Sequence, residues 1–154
     1  MSAWARFRNR PPTTVAVRED GVSLVVPGPV GDLNALDGPQ SPEFLGPDQQ
    51  PLGMVEVQGV TDTPMTCSLF AISNLSSVRG AAYLALWYLA SHTSAQAIEV
   101  GSVNPTTLGP LLERLGMRWI PGTRNMTGDT AAIRRAAQRK CERHNWQLRP
   151  AGAV

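Results

Sequence analysis

Apolar and polar residues alternate in two short runs near the start of the chain. The runs cover residues 13 to 18 and 22 to 26, and Asp20 and Gly21 lie between them. An Asp-Gly pair flanked by alternating apolar residues is the strongest local signal for a β-hairpin. We therefore predict a hairpin whose turn contains residues 20 and 21.

The chain after this hairpin, residues 27 to 51, is rich in Pro, Gly and Asp. These residues favour turns over helices and strands, so the sequence predicts a long extended connection without a regular element. Hairpin and connection together suggest an N-terminal arm, residues 1 to 51, that becomes ordered by contact with a partner. Residues 52 to 154 are then the compact domain.

The compact domain begins with the pattern of two strands and a helix. Residues 52 to 60 alternate, residues 64 to 75 are rich in β-branched and aromatic side chains, and "VTDTP" separates them. This pattern predicts an antiparallel hairpin. Residues 78 to 92 are apolar on nearly every side, which predicts a buried helix with Ser76 or Ser77 as its N-cap.

Shorter strands and helices follow. Residues 96 to 103 predict an apolar strand in the middle of the sheet, beside the strand that ends at Leu75. Residues 106 to 115 predict a helix that stops at Gly116, and "RWIPG" closes the sheet. The pattern as a whole indicates an α/β (α+β) fold with a mixed central sheet and flanking helices.

The last helix combines a small-residue face with a basic one. It is predicted to begin at a cap formed by Asp129 or Thr130 and to end near Asn145. One face carries an arginine at every fourth position, namely Arg135, Arg139 and Arg143. Such a stripe either faces solvent or binds phosphate or an acidic protein surface, and the acidic segment from 11 to 60 is the nearest candidate.

Length and composition restrict the function classes. With 154 residues the chain suits one domain with a core. Its longest apolar run, residues 80 to 90, is about half as long as a membrane-spanning helix. Residues 1 to 14 lack the apolar region of a secretory signal. We therefore expect a protein of the cytoplasm or of a virus particle, neither membrane-bound nor secreted.

Residue spacing gives little support to metal, nucleophile or nucleic-acid chemistry. Cys67 and Cys141 lie far apart, and neither belongs to a CxxC or CxxH unit, so no metal site is predicted. His92 and His144 lie near predicted helix ends and have no Ser or Cys partner in a motif. The arginine stripe has no aromatic stacking platform beside it, so nucleic acid is not a predicted partner.

The order of elements from residue 52 to 122 resembles a known family. The segments "SSVRGAAYLALWYLA", "AIEVGSVN" and "PTTLGPLLERLGM" follow two strands. This order resembles the second half of the GNAT superfamily, the acyl-CoA-dependent N-acetyltransferases. The resemblance implies a GNAT-like fold and, in an active enzyme, acetyl-CoA as cofactor, with its pyrophosphate on the amides at a helix start. The implied cofactor-binding residues are Arg79, Gly80, Ala81, Ala82 and, on the pantetheine side, Asn104.

The sequence also departs from the family pattern. Ala82 stands where the family loop usually has glycine, and Leu84 where it has Gly or Ala, so side chains stand between backbone and phosphate. The family's tyrosine, which protonates the departing thiolate, is replaced by Leu112. Glu56 and Glu99, the acids in candidate strands, alternate toward the outer face. No catalytic residue is therefore assigned.

Two functions remain open at this stage. The first is a degenerate GNAT-like domain that has lost catalysis and serves as a structural or assembly component, for example in a virus particle. It would dock onto protein partners through residues 1 to 51 and the basic C-terminal helix. The alternative is an acetyl-CoA-dependent N-acetyltransferase. The missing tyrosine, and the absence of the two helices that the family's first half supplies, favour the first function.

Overall fold

A computed structural model of the chain describes residues 13–26, 42–56, 66–69, 71–73 and 80–149. The strands in these ranges are β1 (Thr13–Arg18), β2 (Ser23–Val26), β3 (Glu43–Leu45), β4 (Pro51–Glu56), β5 (Thr66–Leu69), β6 (Ala71–Ser73), β7 (Ala97–Val100), β8 (Arg118–Trp119), β9 (Met126–Asp129) and β10 (Trp146–Leu148). The helices are α1 (Ala81–Ser91), α2 (Leu108–Arg114) and α3 (Thr130–Arg143).

These strands form two sheets. Six of them pair antiparallel in the order β10-β1-β2-β3-β4-β6, and the other four have the order β5-β7-β9-β8. In the second sheet β5 runs parallel to β7, whereas β9 pairs antiparallel with β7 and β8. The predicted mixed α+β architecture with flanking helices is confirmed.

The first hairpin is confirmed as well, and its strands belong to the six-stranded sheet. β1 and β2 pair from Thr13 opposite Val26 to Val17 opposite Ser23. The turn residue Gly21 has a φ of 91°, which glycine adopts without strain. Since β2 pairs with β3, and β3 with β4, the sheet runs across the boundary predicted at residues 51 and 52. The division into an arm and a domain stays a prediction.

The prediction that residues 27 to 51 contain no regular element is wrong for their last part. Residues 43 to 45 form β3, which pairs with β2 on one side and β4 on the other. Phe44 and Leu45 are fully buried there, so the strand contributes to the core. The Pro and Gly residues around it hide this short apolar run in the sequence. Residues 27 to 41 lie outside the described residues.

The strand predicted over residues 64 to 75 is two strands in different sheets. β6 pairs antiparallel with β4, as the predicted hairpin requires, but β5 pairs with β7 in the other sheet. The parallel pair reaches its last position at Leu69 opposite Val100. The pairing of β5 with β7 ends here, and β6, which follows β5 in the chain, belongs to the first sheet.

The helix α1 is buried almost throughout. Within residues 81 to 90 all side chains except that of Ala82 are buried, as the apolar pattern predicts. The predicted N-cap is wrong: Gly80 caps the helix, and Ser76 and Ser77 lie outside the described residues. Glycine is favoured at this cap because the backbone is left-handed there.

The helix α3 begins and ends close to its predicted bounds. Asp129 is the N-cap, and its Oδ2 accepts a hydrogen bond of 2.9 Å from the Ala132 backbone N–H. The side chains on the buried face are Ile133, Ala137 and Cys141. The predicted stop of α2 is also confirmed, since Gly116 follows it with a φ of 90°.

The sequence pattern predicts neither β9 nor β10. Each is only three or four residues long, and β9 contains a Gly-Asp pair that reads as a turn. β10 pairs with β1, which brings the C-terminal part of the described chain against the first strand. Among the described residues, no helix has the length and apolar character needed to cross a membrane.

Candidate functional site

The start of α1 is where the family resemblance places the cofactor. Gly80 has a φ of 80° and a ψ of 7°, a left-handed conformation, and it caps the helix without a side chain. Ala81 is buried and Ala82 is half-buried. Arg79 lies outside the described residues. The structure thus describes three of the four residues predicted for this loop.

The ring of His144 lies directly against Gly80. A Cβ atom added to Gly80 would come within 3.0 Å of His144 Cγ and within 3.1 Å of its Cδ2. The same ring stacks on Tyr83, with 6.0 Å between the centroids and 24° between the planes. Lys140 Nζ lies 5.9 Å from the centroid of the Tyr83 ring. The space that a side chain would occupy at Gly80 is therefore filled by the end of α3.

These contacts also set the electrostatics of the helix start. Because the first turn of α1 contacts the last turn of α3, the two helices are antiparallel. A helix start carries a partial positive charge and a helix end a partial negative one. The end of α3 thus partly compensates the positive end of α1, while Lys140 and Arg143 in its last turn add positive charge.

The His144 ring occupies one side of the helix start at which the pyrophosphate of acetyl-CoA would bind. A phosphate cradle needs backbone amides that no side chain covers, and glycine serves that purpose. Here the His144 ring occupies the space where a side chain of residue 80 would lie. We therefore derive no step of acetyl transfer from these residues, and the cofactor-binding role of Arg79, Gly80, Ala81 and Ala82 stays a prediction.

A cavity of about 460 Å³ lies next to His144. It is lined by Arg18, Glu19, Asp20, Arg143, His144 and Asn145. Arg18 forms a salt bridge with Asp20 at 2.8 Å and donates a second hydrogen bond at 2.9 Å. These hydrogen bonds hold the pKa of the Asp20 carboxyl below its ordinary value. Acidic and basic side chains line the cavity in equal number, so its charge does not select an anion.

Asn104, the residue predicted on the pantetheine side, is exposed and organises its own turn. Its Oδ1 accepts hydrogen bonds from the backbone N–H and the hydroxyl of Thr106, at 2.9 and 2.8 Å. Its backbone oxygen accepts from the Gly109 N–H at 2.9 Å. All three bonds lie within residues 104 to 109, and none of them reaches α1. Asn104 thus shapes the entry to α2, and its predicted role toward a cofactor remains untested.

Leu112, at the position of the family's tyrosine, belongs to the core. Its exposure is 0%, as is that of Leu84. Its backbone oxygen accepts from the N–H groups of Leu115 and Met117, which ends α2. A side chain at this position does not reach solvent. The candidate base Glu99 is half-buried in β7, and Glu56 lies in β4.

The remaining histidine and the described cysteine are structural. His92 is buried against the rings of Tyr88 and Trp87, with centroids 4.9 and 6.2 Å away, and burial lowers its pKa. Burial, with the Glu142 charge as a smaller cause, raises the pKa of the Cys141 thiol to about 12. Such a thiol is inert as a nucleophile. Among the described residues, no three His, Cys, Asp or Glu side chains form a metal site.

No protein-family model and no curated protein sequence matches the chain. Among solved structures, it is similar to a variant of the spermidine N-acetyltransferase SpeG from Vibrio cholerae, with 14% identity, a TM-score of 0.46, and coverage of 64% of this chain and 69% of that chain. It is also similar to spermidine/spermine N-acetyltransferase SpeG from Vibrio cholerae in complex with manganese ions, with 14% identity, a TM-score of 0.45, and coverage of 63% of this chain and 68% of that chain. A third similar structure is that of a nourseothricin acetyltransferase, with 15% identity, a TM-score of 0.45, and coverage of 78% of this chain and 86% of that chain.

The described residues form a mixed α+β fold in which α1 lies between the parallel strands β5 and β7 in the chain. The sequence pattern placed His144 only near a helix end and did not point to its contact with Gly80. Gly80 and its predicted loop could be read from the sequence, but nothing in the sequence pairs them with a residue so distant along the chain.

Proposed function

We propose that this chain is a GNAT-like domain that does not transfer acetyl groups and acts by docking onto other proteins. The observation that carries the proposal is the contact between His144 and Gly80. In the family pattern the glycine keeps the helix start clear for a phosphate. In this chain the absence of a side chain at Gly80 makes room for the His144 ring. Packing therefore explains the glycine without a cofactor.

Leu112 supports the loss of catalysis independently. A transferase needs a group that returns a proton to the departing thiolate, and leucine has none to give. Since Leu112 is fully buried, a tyrosine at this position would have to repack the core before it met a ligand.

Docking is proposed through the first 51 residues and the basic face of α3. The arginines of that face, Arg135, Arg139 and Arg143, are all exposed. An acidic protein surface is the complementary partner, because such a stripe attracts negative charge at a distance. A larger assembly, such as a virus particle, would supply that surface.

Calorimetric titration with acetyl-CoA tests the loss of catalysis. We expect no heat of binding at millimolar acetyl-CoA. Micromolar binding that Arg79→Glu abolishes would contradict the proposal. Arg135→Glu is the matched control, because it makes the same charge reversal on the exposed face of α3 and leaves the predicted loop intact.

An acetyl-CoA-dependent N-acetyltransferase is the second candidate. It is favoured by the cations of the last turn of α3, Lys140 and Arg143, which lie at the end of α3 that packs on the start of α1. In that case the amides of Gly80, Ala81 and Ala82 would hold the pyrophosphate, and the cofactor would supply the acetyl group. Amine-dependent release of the free CoA thiol is the assay, and its absence for a panel of amines would reject this candidate.

A further inference from the structure

The outer face of α3 carries its side chains in rows that run along the helix. Side chains four residues apart are neighbours on a helix surface and repeat about every 6 Å along its axis. The central row of this face consists of Arg135, Arg139 and Arg143, which are all exposed, and we call it the arginine row. Beside it lie the half-buried Ala132 and Ala136, the alanine row. Because these side chains are small, they leave a shallow groove along the arginines.

The positive charge of the arginine row is not compensated within the described part of the chain. None of its three side chains forms a hydrogen bond or an ion pair with another described residue. The two nearest acids along the chain have other partners: Asp129 accepts a hydrogen bond from the Ala132 N–H, and Glu142 accepts one from Gln138. Like charges four residues apart destabilise a helix. A partner that brings negative charge to the row would remove this repulsion.

The spacing of the arginine row fits a second helix. Acids four residues apart on a partner helix repeat at the same interval of about 6 Å, because both helices have the same geometry. When the four-residue rows of two helices pack together, the rows run parallel and enter each other's grooves. The alanine row leaves room for the partner's side chains. Carboxylates of the partner then meet the guanidinium groups, which bind a carboxylate through two parallel hydrogen bonds.

A phosphate backbone and a second copy of this chain fit the face less well. A phosphate backbone is charged at every step and would also meet the carboxylate of Glu142, which is exposed next to Arg143. A helix can place a neutral side chain opposite this acid. Among the described helices of this chain, none has two acids four residues apart. The complementary helix therefore belongs to a different protein.

We infer that the outer face of α3 packs against an acidic α-helix of a partner protein. Its carboxylates, four residues apart, pair with Arg135, Arg139 and Arg143, and its neighbouring side chains enter the groove at Ala132 and Ala136. The inference rests on the docking role proposed for this face and names the kind of surface that docks there. Because the arginines are exposed, the interaction weakens as the ionic strength rises.

Nuclear magnetic resonance on the full chain at low ionic strength tests the inference. The probe is an alanine-rich peptide of about 20 residues, long enough to form a helix, with a glutamate at every fourth position along one face. The control peptide has the same composition, with its glutamates distributed around the helix. We expect the probe to bind about tenfold more tightly than the control, because only the probe aligns an acid with each arginine. It should also shift the methyl signals of Ala132 and Ala136.

Variants assign the pairs. Arg139→Glu should weaken binding of the probe at least about tenfold, because it replaces an attraction by a repulsion. Arg118→Glu is the matched control, since it makes the same charge reversal at an exposed position of β8, and it should leave binding unchanged. A probe with lysine in place of its central glutamate should bind the Arg139→Glu variant more tightly than the original probe does.

The possible failures separate this inference from the proposed function. Equal binding of probe and control peptide would overturn the acidic helix and leave docking onto an acidic surface standing. No binding of either peptide at concentrations up to about 10 mM would overturn the docking role of this face as well. Tighter binding of a DNA duplex than of the probe would overturn the inference by assigning the face to phosphate.

Discussion

At the residue scale, the energetic effect of the contact between Gly80 and His144 can be measured by comparison with Gly116. Gly80 and Gly116 have φ values of 80° and 90°. Both therefore adopt a left-handed backbone conformation, which costs any L-residue with a side chain about 1–2 kcal/mol. They differ in their surroundings. His144 lies 3.0 Å from the Cβ position of Gly80, whereas nothing lies within 4 Å of that of Gly116.

We therefore expect Gly80→Ala to lower the free energy of unfolding by at least about 1 kcal/mol more than Gly116→Ala does, since overpacking adds to the backbone cost. Urea denaturation measures both. The His144→Ala background is the control, and there the difference between the two glycine variants should disappear. Equal losses in the natural background would mean that His144 does not close the helix start.

His92 makes stability depend on pH. Burial lowers its pKa below the ordinary 6.5, so the folded chain holds a neutral imidazole and the unfolded chain takes up the proton first. Stability should fall as the pH drops below about 6.5, with a slope of up to about 1.4 kcal/mol per pH unit.

His92→Phe, which keeps an aromatic ring against Trp87 and Tyr88, should remove this slope between roughly pH 7 and 5. Denaturant titrations at several pH values measure it. The carboxyl of Asp20, with its lowered pKa, titrates below this window and does not interfere. An unchanged slope in the variant would assign the pH dependence to other groups.

At the element scale, the cap of α3 supports the helix that covers α1. Asp129 accepts one hydrogen bond from the first turn, and its charge lies at the positive end of the helix. Asp129→Ala should cost about 1 kcal/mol, measured as a lower midpoint in thermal or urea unfolding. Asp129→Asn keeps the accepting oxygen and should lose less. A loss of equal size in both variants would assign the effect to charge and not to the cap.

Elements with a strong local pattern could be predicted, and elements defined by their neighbours could not. The hairpin of β1 and β2 and the helix α3 follow from residues close together in sequence, such as Asp20-Gly21 and the cap at Asp129. β10 is a strand because β1 lies beside it, and β3 because it fills the space between β2 and β4. The same holds for the candidate site. The loop at Gly80 could be predicted from adjacent residues, whereas the contact of the His144 ring with it depends on residues far apart in the sequence.

At the scale of the whole molecule, the first strands and the last strand complete one another. β1 pairs with β10 from Ala16 opposite Leu148 to Arg18 opposite Trp146. Trp146 is also covered by Arg18 and by Phe44. Residues from both sides of the boundary at residue 51 thus share one sheet and one core.

This sharing gives the predicted division of the chain a direct test. A fragment of residues 52–154 would lose β1, β2 and β3, leaving β4 and β10 without these partners and the Trp146 ring uncovered. Unpaired strand groups and exposed apolar surface both cost free energy, so we expect the fragment to unfold without a cooperative transition. Circular dichroism and tryptophan fluorescence against urea measure this.

A fragment of residues 13–154 is the matched control, because it keeps every described strand and should unfold cooperatively. Adding residues 1–51 as a separate peptide to the 52–154 fragment should restore the transition, since strand pairing does not require a covalent connection. Cooperative unfolding of the 52–154 fragment alone would instead establish the first 51 residues as a dispensable arm. That outcome would leave the whole arm free to bind a partner, whereas the expected one restricts docking by the first 51 residues to the parts outside β1, β2 and β3.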